Sequence, residues 1–73
     1  MPIGKRLEML RKNKKLTQND MAKFLGITRQ GYGNYESGSR EPDNETLQKL
    51  ADFFEVSTDY LLGRTDDPTP PGE

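Results

Sequence analysis

Apolar residues recur along this chain at intervals of three and four positions, which is the spacing of one face of an α-helix. Ile3, Leu7 and Leu10 follow this spacing in the first segment, and charged residues fill most of the positions between them. Four later segments repeat it, and no stretch alternates apolar and polar residues as a half-buried strand does. The pattern predicts an all-α fold, a bundle of five helices.

Four residues predict where the second to fifth helices begin. Ser, Thr and Asp side chains accept hydrogen bonds from the free N–H groups of a first helical turn, which makes them good N-caps. Asp20 follows the first of these caps by three positions and predicts a capping box. The predicted caps are Thr17, Thr28, Asp43 and Ser57.

Glycine and proline predict where the helices end. Gly26 stops the second helix and permits the positive φ that a sharp turn requires. The third helix is predicted to end near Gly38, and Pro42 disfavours helix at the residue before it, so the segment between them is predicted as a loop. The fourth and fifth helices are predicted to end near Glu55 and before Gly63.

The helical spacing also predicts the core. One face of each helix is apolar, and these faces are expected to meet. Phe53 stands beside Phe54 and cannot face the same core, so one of the two rings is expected to be half-exposed and to offer a patch for a dimer. Predicted inward residues of the last four helices are Met21, Ala22, Leu25, Tyr32, Tyr35, Leu47, Leu50, Ala51, Phe54, Leu61 and Leu62.

Length and composition limit the class of protein. A chain of 73 residues supports one small domain. It has no Cys and therefore no disulfide or thiolate site, which fits a reducing cytoplasm, and no His to serve as an imidazole base. Because the apolar runs are short and no apolar signal region is present at the N-terminus, no membrane partner is expected. We expect no enzyme, no cofactor, no metal and no small-molecule substrate.

The composition of the chain changes near its C-terminus. From residue 65 to residue 73 it has no apolar side chain apart from prolines. We therefore predict a domain over residues 1–65 and an extended, disordered tail or linker over residues 66–73. The tail is either a free end or the start of a linker to a second domain, and the sequence leaves both open.

Charge is divided between the two halves of the chain, although the formal net charge is only -1. Residues 1–40 carry nine Lys and Arg against three Asp and Glu, and residues 41–73 carry two against nine. A basic half of this kind is expected where one face meets an anionic surface, while the acidic half keeps the protein soluble. Chance in a chain that is 32% charged is the alternative explanation.

The spacing between the second and third helices predicts a sharp crossing. Two helices joined by a turn of three or four residues cross at about 90 to 120 degrees, so the residue at their closest approach must be small, as Ala22 is. Ile27 and Tyr32 are expected to fill the angle between the helices. The side of the third helix that remains exposed carries Arg29, Gln30, Gly33 and Asn34.

Two stretches, "LTQNDMAKFLGITRQGYGNYESGSREPD" and "LADFFEVSTDYLLGR", carry a resemblance to a known family. They resemble the helix-turn-helix of the lambda-repressor-like, Cro-type (xenobiotic-response-element) family of bacterial and phage repressors, over about residues 3 to 64. The resemblance implies a lambda-repressor-like bundle whose third helix, about residues 28–37, lies in the major groove of a partly palindromic operator. It also implies a protein that is a weak homodimer or pairs on DNA, in the bacterial cytoplasm and associated with the nucleoid through its DNA.

The resemblance assigns roles to individual residues. Arg29 is expected to pair with guanine, and Gln30 and Asn34 with adenine, with Gly33 on the same base-reading face. A basic residue of the first helix, Arg11, is expected to form a structural ion pair with Glu36, which closes the third helix. Expected phosphate contacts are Gln18, Thr28, Ser39, Arg40, the hydroxyl of Tyr32 and, more loosely, Lys14 and its neighbour Lys15.

Gly31 and Gly33 interrupt the third helix, where each glycine costs about 1 kcal/mol relative to alanine. We interpret Gly33 as allowing a deeper approach to the groove or leaving room for a thymine methyl, and Gly31 as making space beside Tyr32. Simple tolerated weakness is the alternative.

Together these features predict a sequence-specific DNA-binding transcriptional regulator, a prophage or bacterial repressor. The alternative is a protein-interaction module, antitoxin-like or an adaptor, that uses the same bundle. The two differ in their binding to DNA, which is sequence-specific and steeply salt-dependent for the regulator and weak and sequence-blind for the adaptor.

Overall fold

The computed structural model describes residues 3–70, and within them the chain forms helices joined by short loops, with no strand. None of these helices is both long enough and apolar enough to cross a membrane. The five-helix, all-α fold predicted from the sequence is confirmed. The helices are α1 Ile3–Asn13, α2 Gln18–Leu25, α3 Arg29–Ser37, α4 Asn44–Phe54 and α5 Thr58–Leu61.

All four predicted N-caps occupy the predicted positions, with extended backbone and a side chain that accepts a hydrogen bond from the third residue of its helix. At α2 the bond is reciprocal: Thr17 Oγ1 accepts from Asp20 N at 3.0 Å, and Thr17 N donates to Asp20 Oδ2 at 2.9 Å. The hydrogen bond that the Asp20 carboxylate accepts from Thr17 N lowers the pKa of Asp20. The capping box predicted from the sequence is therefore present and fixes the start of α2.

A residue with left-handed backbone stands directly after three of the helices. Gly26 after α2 and Gly38 after α3 have φ of 72° and 85°, a region that costs glycine nothing. Glu55 after α4 has φ of 58°, although it is not a glycine. Its N–H donates to Asp52 O, at 3.2 Å, and the next residue donates back to α4, so the turn closes despite the strain.

Each helix supplies one large, fully buried side chain to a single core. Smaller and less buried residues, among them the predicted Ala22, Tyr35, Ala51 and Phe54, complete it. Leu62 was predicted to be buried and is 46% exposed. Because Leu61 and Leu62 are adjacent on a single helical turn, only one of them faces inward. The five fully buried side chains are Leu7, Met21, Tyr32, Leu50 and Leu61.

Helix α1 packs directly against the C-terminal turn of α3, at a glycine. A Cβ at Gly4 would lie 2.8 Å from the carbonyl oxygen of Tyr35 and 2.7 Å from the carbonyl carbon of Glu36. Real Cβ atoms essentially never approach so closely, and the obstacle is backbone that cannot turn aside. Gly4 therefore sets how closely the first helix approaches the third.

The segment after α5 runs back along the bundle. Asp66 accepts a hydrogen bond from Arg6 at 2.8 Å, and Pro68 O accepts one from Ser57 N at 3.0 Å. These contacts continue past residue 65, and the predicted division of the chain at that residue stays a prediction. Of the predicted tail, residues 71–73 lie outside the described residues.

Candidate nucleic-acid interface

Backbone hydrogen bonds close the turn between α2 and α3, and the side chain of Ala22 beside it is small. Gly26 N donates to Lys23 O at 3.2 Å, and Ile27 N donates to Ala22 O at 3.0 Å. Ala22 is only 2% exposed, and its place at the closest approach of the helices stays a prediction. Ile27 is 37% exposed, so Tyr32 fills the angle between the helices more completely than Ile27 does.

Helix α3 presents a polar side to solvent. Arg29 and Gln30 in its first turn are exposed, and Gly33 and Asn34 one turn later are half-buried. The opposite side carries Tyr32 and Tyr35, the latter 7% exposed. The four residues predicted to read bases therefore lie together on the outward half of one helix.

A buried ion pair holds α3 against α1. Arg11 Nε donates to Glu36 Oε2 at 2.7 Å, and Arg11 Nη2 donates to Glu36 Oε1 at 3.1 Å. The two side chains are 10% and 5% exposed. A bidentate pair of this kind fixes distance and orientation together. The ion pair predicted for these two residues is present in the structure.

The pKa values in this cluster follow from its geometry. Burial disfavours the Glu36 carboxylate, but the hydrogen bonds that it accepts, first from Arg11, outweigh burial and lower its pKa. The same hydrogen bond raises the pKa of Arg11. Both groups are therefore charged at neutral pH.

Arg11 also fixes the loop between α1 and α2. Its Nη1 donates to Leu16 O at 2.8 Å, and its own carbonyl oxygen accepts from Leu16 N at 3.1 Å. Lys15, in the same loop, has φ of 61°, an uncommon value for a residue with a side chain. Arg11 thus holds α3 through the Glu36 carboxylate and holds the start of α2 through this loop.

Gln18, at the first position of α2, is tied to the same carboxylate. Its Nε2 donates to Glu36 Oε1 at 3.1 Å. Gln18 Oε1 lies 3.5 Å from the position that a Cβ of Gly33 would take. The amide therefore lies along α3 between Gly33 and Glu36, and one polar cluster joins α1, α2 and α3.

The two glycines of α3 have different neighbours. A Cβ at Gly33 would meet nothing closer than Gln18, at ordinary contact distance, so this position borders the start of α2 as well as solvent. A Cβ at Gly31 would lie 3.1 Å from Thr28 Oγ1 and 3.8 Å from Ile27 Cδ1. The space at Gly31 therefore borders the Thr28 cap and the Ile27 side chain.

The prediction that the Tyr32 hydroxyl contacts a phosphate is wrong. Tyr32 is 0% exposed, and its hydroxyl oxygen is buried with no hydrogen bond of good geometry among the described residues. Burial, together with the neighbouring Glu36 carboxylate, raises the pKa of Tyr32. Tyr32 is a core residue. Its ring packs on the inward side of α3 and fills the angle between α2 and α3.

The other residues predicted to contact phosphate lie at the surface. Thr28 is exposed, and its Oγ1 accepts from Gly31 N at 3.0 Å. Ser39 and Arg40, just after α3, are both exposed. Lys14 is also exposed, but its Nζ lies 5.9 Å from the centre of the Phe53 ring, on the side of α4.

Sequence reasoning missed the role of Gly4. This glycine comes directly after Ile3 and three positions before Leu7, on or next to the apolar face of α1. A glycine at such a position is a recognisable signal for close backbone approach. Its lack of a side chain lets α1 approach the last turn of α3 closely, and Arg11 holds the same turn through a side chain.

These features define a helix-turn-helix protein, and the chain belongs to the helix-turn-helix family, whose model matches residues 7–61. It is similar to the SPbeta prophage-derived HTH-type transcriptional regulator YonR of Bacillus subtilis, with 56% identity over 63 residues that make up 86% of this chain and 58% of that protein. It is similar also to the cryptic phage CTXphi transcriptional repressor RstR of Vibrio cholerae, with 45% identity over 88% of this chain and 57% of that one.

A solved structure has the same fold. The P22 c2 repressor in complex with a synthetic operator is 31% identical, with a TM-score of 0.79 over 85% of this chain and 94% of that one. The lambda-repressor-like architecture is therefore confirmed. The chain spans between 52% and 58% of the length of three curated relatives, among them YonR.

Proposed function

We propose that this chain binds double-stranded DNA in a sequence-specific manner and represses transcription by occluding a promoter. One observation carries the proposal: the exposed, polar side of α3 is held by a buried ion pair in a fold shared with a repressor bound to operator DNA. The relatives that are named as transcriptional regulators support the same conclusion. Such a protein acts where the DNA is, in the bacterial cytoplasm.

In this proposal α3 reads bases from the major groove. Arg29 makes a bidentate pair with guanine, and Gln30 and Asn34 pair with adenine through their forked amides. Gly33 adds no side chain between these residues, which keeps the middle of the helix close to the base edges. The two exposed residues in the first turn, Arg29 and Gln30, reach furthest from the helix axis and carry most of the selectivity.

Phosphate contacts on both sides of α3 supply most of the affinity. The N-terminus of α2 offers free N–H groups and a positive dipole end to one phosphate, next to the Gln18 amide. Thr28 donates its hydroxyl proton while its oxygen serves as the cap. Ser39 and Arg40 contact the backbone on the far side of α3, and Lys14 is a more distant contribution.

Glu36 keeps these contacts in register. It accepts from Gln18 in α2 and from Arg11 in α1, and its own backbone is in α3. The phosphate contact at the start of α2 and the base contacts of α3 are therefore expected to move as one unit. Two such units on a pair of chains suit a partly palindromic operator, whose half-sites repeat after about one helical turn.

Selection of binding sites from random duplexes tests the proposal. Repeated rounds are expected to enrich one sequence with two related half-sites. Arg29→Gln is then expected to cost about 1 to 3 kcal/mol in affinity for that duplex and to relax selection at one position. Arg64→Gln, an equal loss of charge at an exposed residue of the acidic half, is the control and leaves selection unchanged.

The salt dependence separates the two kinds of contact. Arg40→Gln is expected to weaken binding to all duplexes alike and to reduce the salt slope by about one unit. Gln18→Ala weakens binding without changing the slope, because the amide neutralises no phosphate. Weak, sequence-blind binding by the wild-type protein would reject the proposal and favour a protein-interaction module.

A further inference from the structure

Two phenylalanines form an exposed apolar groove on a side of the molecule that α3 does not line. Phe24, near the C-terminus of α2, is 46% exposed, and its ring centre lies 4.5 Å from that of Phe53 in α4. The groove has a volume of about 460 Å³ and is lined by these two rings together with Lys49 and Asp52. One ring of the Phe53–Phe54 pair was predicted to be half-exposed. It is that of Phe53, and a second ring from another helix contacts it.

Packing of the core does not explain why these two rings lie at the surface. Phe54, the neighbour of Phe53, is 6% exposed and already fills the core position of this part of α4. Phe24 contributes to the described structure mainly through its contact with Phe53, at the rim. The two rings are tilted by 39° and remain partly exposed to water. Exposed aromatic pairs are a feature of interaction surfaces, because burial of their apolar area contributes much of the free energy of binding.

The charges at the rim indicate what covers the groove. Lys49 and Asp52 lie one helical turn apart on α4 and line the same groove, and Lys14 Nζ lies 5.9 Å from the centre of the Phe53 ring, so the groove is bordered by charges of both signs. Lys49 Nζ lies 3.8 Å from Glu45 Oε2, and both side chains are more than half exposed, so this loose pair can be exchanged for another. Because Lys49 and Asp52 have opposite charges, a two-fold rotation brings the lysine of one copy opposite the aspartate of the other.

We propose that the groove binds the same groove of a second copy of this chain. Across the two-fold axis, Phe24 and Phe53 of one copy pack on those of the other, and Lys49 of each copy faces Asp52 of the other. The proposal does not rest on DNA binding, because no residue of α3 lines the groove.

Sedimentation velocity without DNA, over a wide range of protein concentration, tests the proposal. The wild-type protein is expected to form a dimer reversibly. Phe24→Ser is expected to raise the dimer dissociation constant at least about tenfold. Lys49→Asp is expected to do the same by placing two carboxylates opposite each other, at each of two symmetric contacts. Adding Asp52→Lys to Lys49→Asp is expected to restore the dimer.

Leu62→Ser is the matched control, because Leu62 is as exposed as Phe24 but lies after α5, away from the groove. It is expected to leave the dissociation constant unchanged. The charge variants alter exposed residues and keep the test valid if Phe24→Ser fails to fold. A monomer at every concentration would overturn the proposal and leave the groove to a different protein. A dimer weakened by Leu62→Ser, or unaffected by Lys49→Asp, would overturn it as well.

Discussion

Arg6 and Arg11 lie on the same helix and are both buried, but their carboxylate partners differ. Arg11 pairs with Glu36, whose side chain is 5% exposed, whereas Arg6 pairs with Asp66, whose side chain is 99% exposed. Both pairs include a short N–O contact, 2.7 Å and 2.8 Å. Water screens the Arg6–Asp66 pair and hardly reaches the Arg11–Glu36 pair. The two pairs therefore differ in electrostatic strength although their N–O distances are nearly the same.

The two arginines also differ in what else compensates for their burial. The Arg6 guanidinium lies 4.0 Å from the centre of the Tyr60 ring and donates to Thr65 O at 3.2 Å. These contacts do not depend on Asp66. The Arg11 guanidinium donates to the Glu36 carboxylate, and it donates also to the carbonyl oxygen of Leu16. Loss of the Arg11–Glu36 pair is therefore expected to lower the free energy of unfolding strongly, whereas Arg6 keeps other contacts when Asp66 is lost.

The largest expected effect follows from breaking the buried pair. Arg11→Met and Glu36→Leu are each expected to destabilise the protein by about 3 to 5 kcal/mol, because each leaves a buried charge without a partner. The double variant is expected to lose much less than the sum of the two. Urea unfolding of the four proteins measures this coupling, and simple additivity would contradict the interpretation.

The next effect separates two glycines that sequence alone treats alike. Gly4→Ala is expected to destabilise the protein by about 1 to 3 kcal/mol, since the added methyl meets the backbone of α3. Gly33→Ala, which meets nothing closer than 3.5 Å, is expected to stabilise it by up to about 1 kcal/mol through helix propensity. Thermal unfolding of both variants measures their stability relative to the wild type. A Gly4→Ala protein as stable as the wild type would contradict the close approach of α1 to α3.

Acid is expected to act on the buried pair. The pKa of Glu36 is lower in the folded protein than in the unfolded chain, so its carboxylate stabilises the fold above the unfolded pKa of about 4.3. That contribution is lost as the pH falls through the folded pKa. The stability of the wild type is therefore expected to fall more steeply below about pH 5 than that of Glu36→Gln. Parallel curves of stability against pH would contradict this prediction.

The smallest effect is expected at the exposed partner of Arg6. Asp66→Ala is expected to shift the melting temperature by less than about 2 °C, because solvent screens the pair and Tyr60 keeps Arg6 in place. A shift as large as that of Glu36→Leu would show that exposure does not distinguish the two arginines.

Local rules explain why so much of the fold was predictable. Thr17, Thr28, Asp43 and Ser57 act within three residues of themselves, so their cap positions follow from sequence. The inward tyrosines of α3 follow from helical spacing in the same way. Leu62 was misplaced because spacing over a single turn does not separate two neighbouring leucines.

Contacts between distant segments were less predictable. Gly4 and Tyr35, or Arg6 and Asp66, meet only after the bundle has formed. The Arg11–Glu36 pair was found through family resemblance, and the bond from Gln18 to the same carboxylate was not foreseen. The depth of Tyr32 in the core, which rules out its phosphate contact, also depends on packing between helices.

Amide chemical shifts during titration with the selected duplex test the central claim most directly. That claim is that the outward side of α3 reads base edges while the buried Arg11–Glu36 pair holds it in place. The largest shift changes are expected from Thr28 to Asn34 and at Gln18, with small changes in α5. Tight binding with changes everywhere except in the segment from Thr28 to Asn34 would contradict the claim.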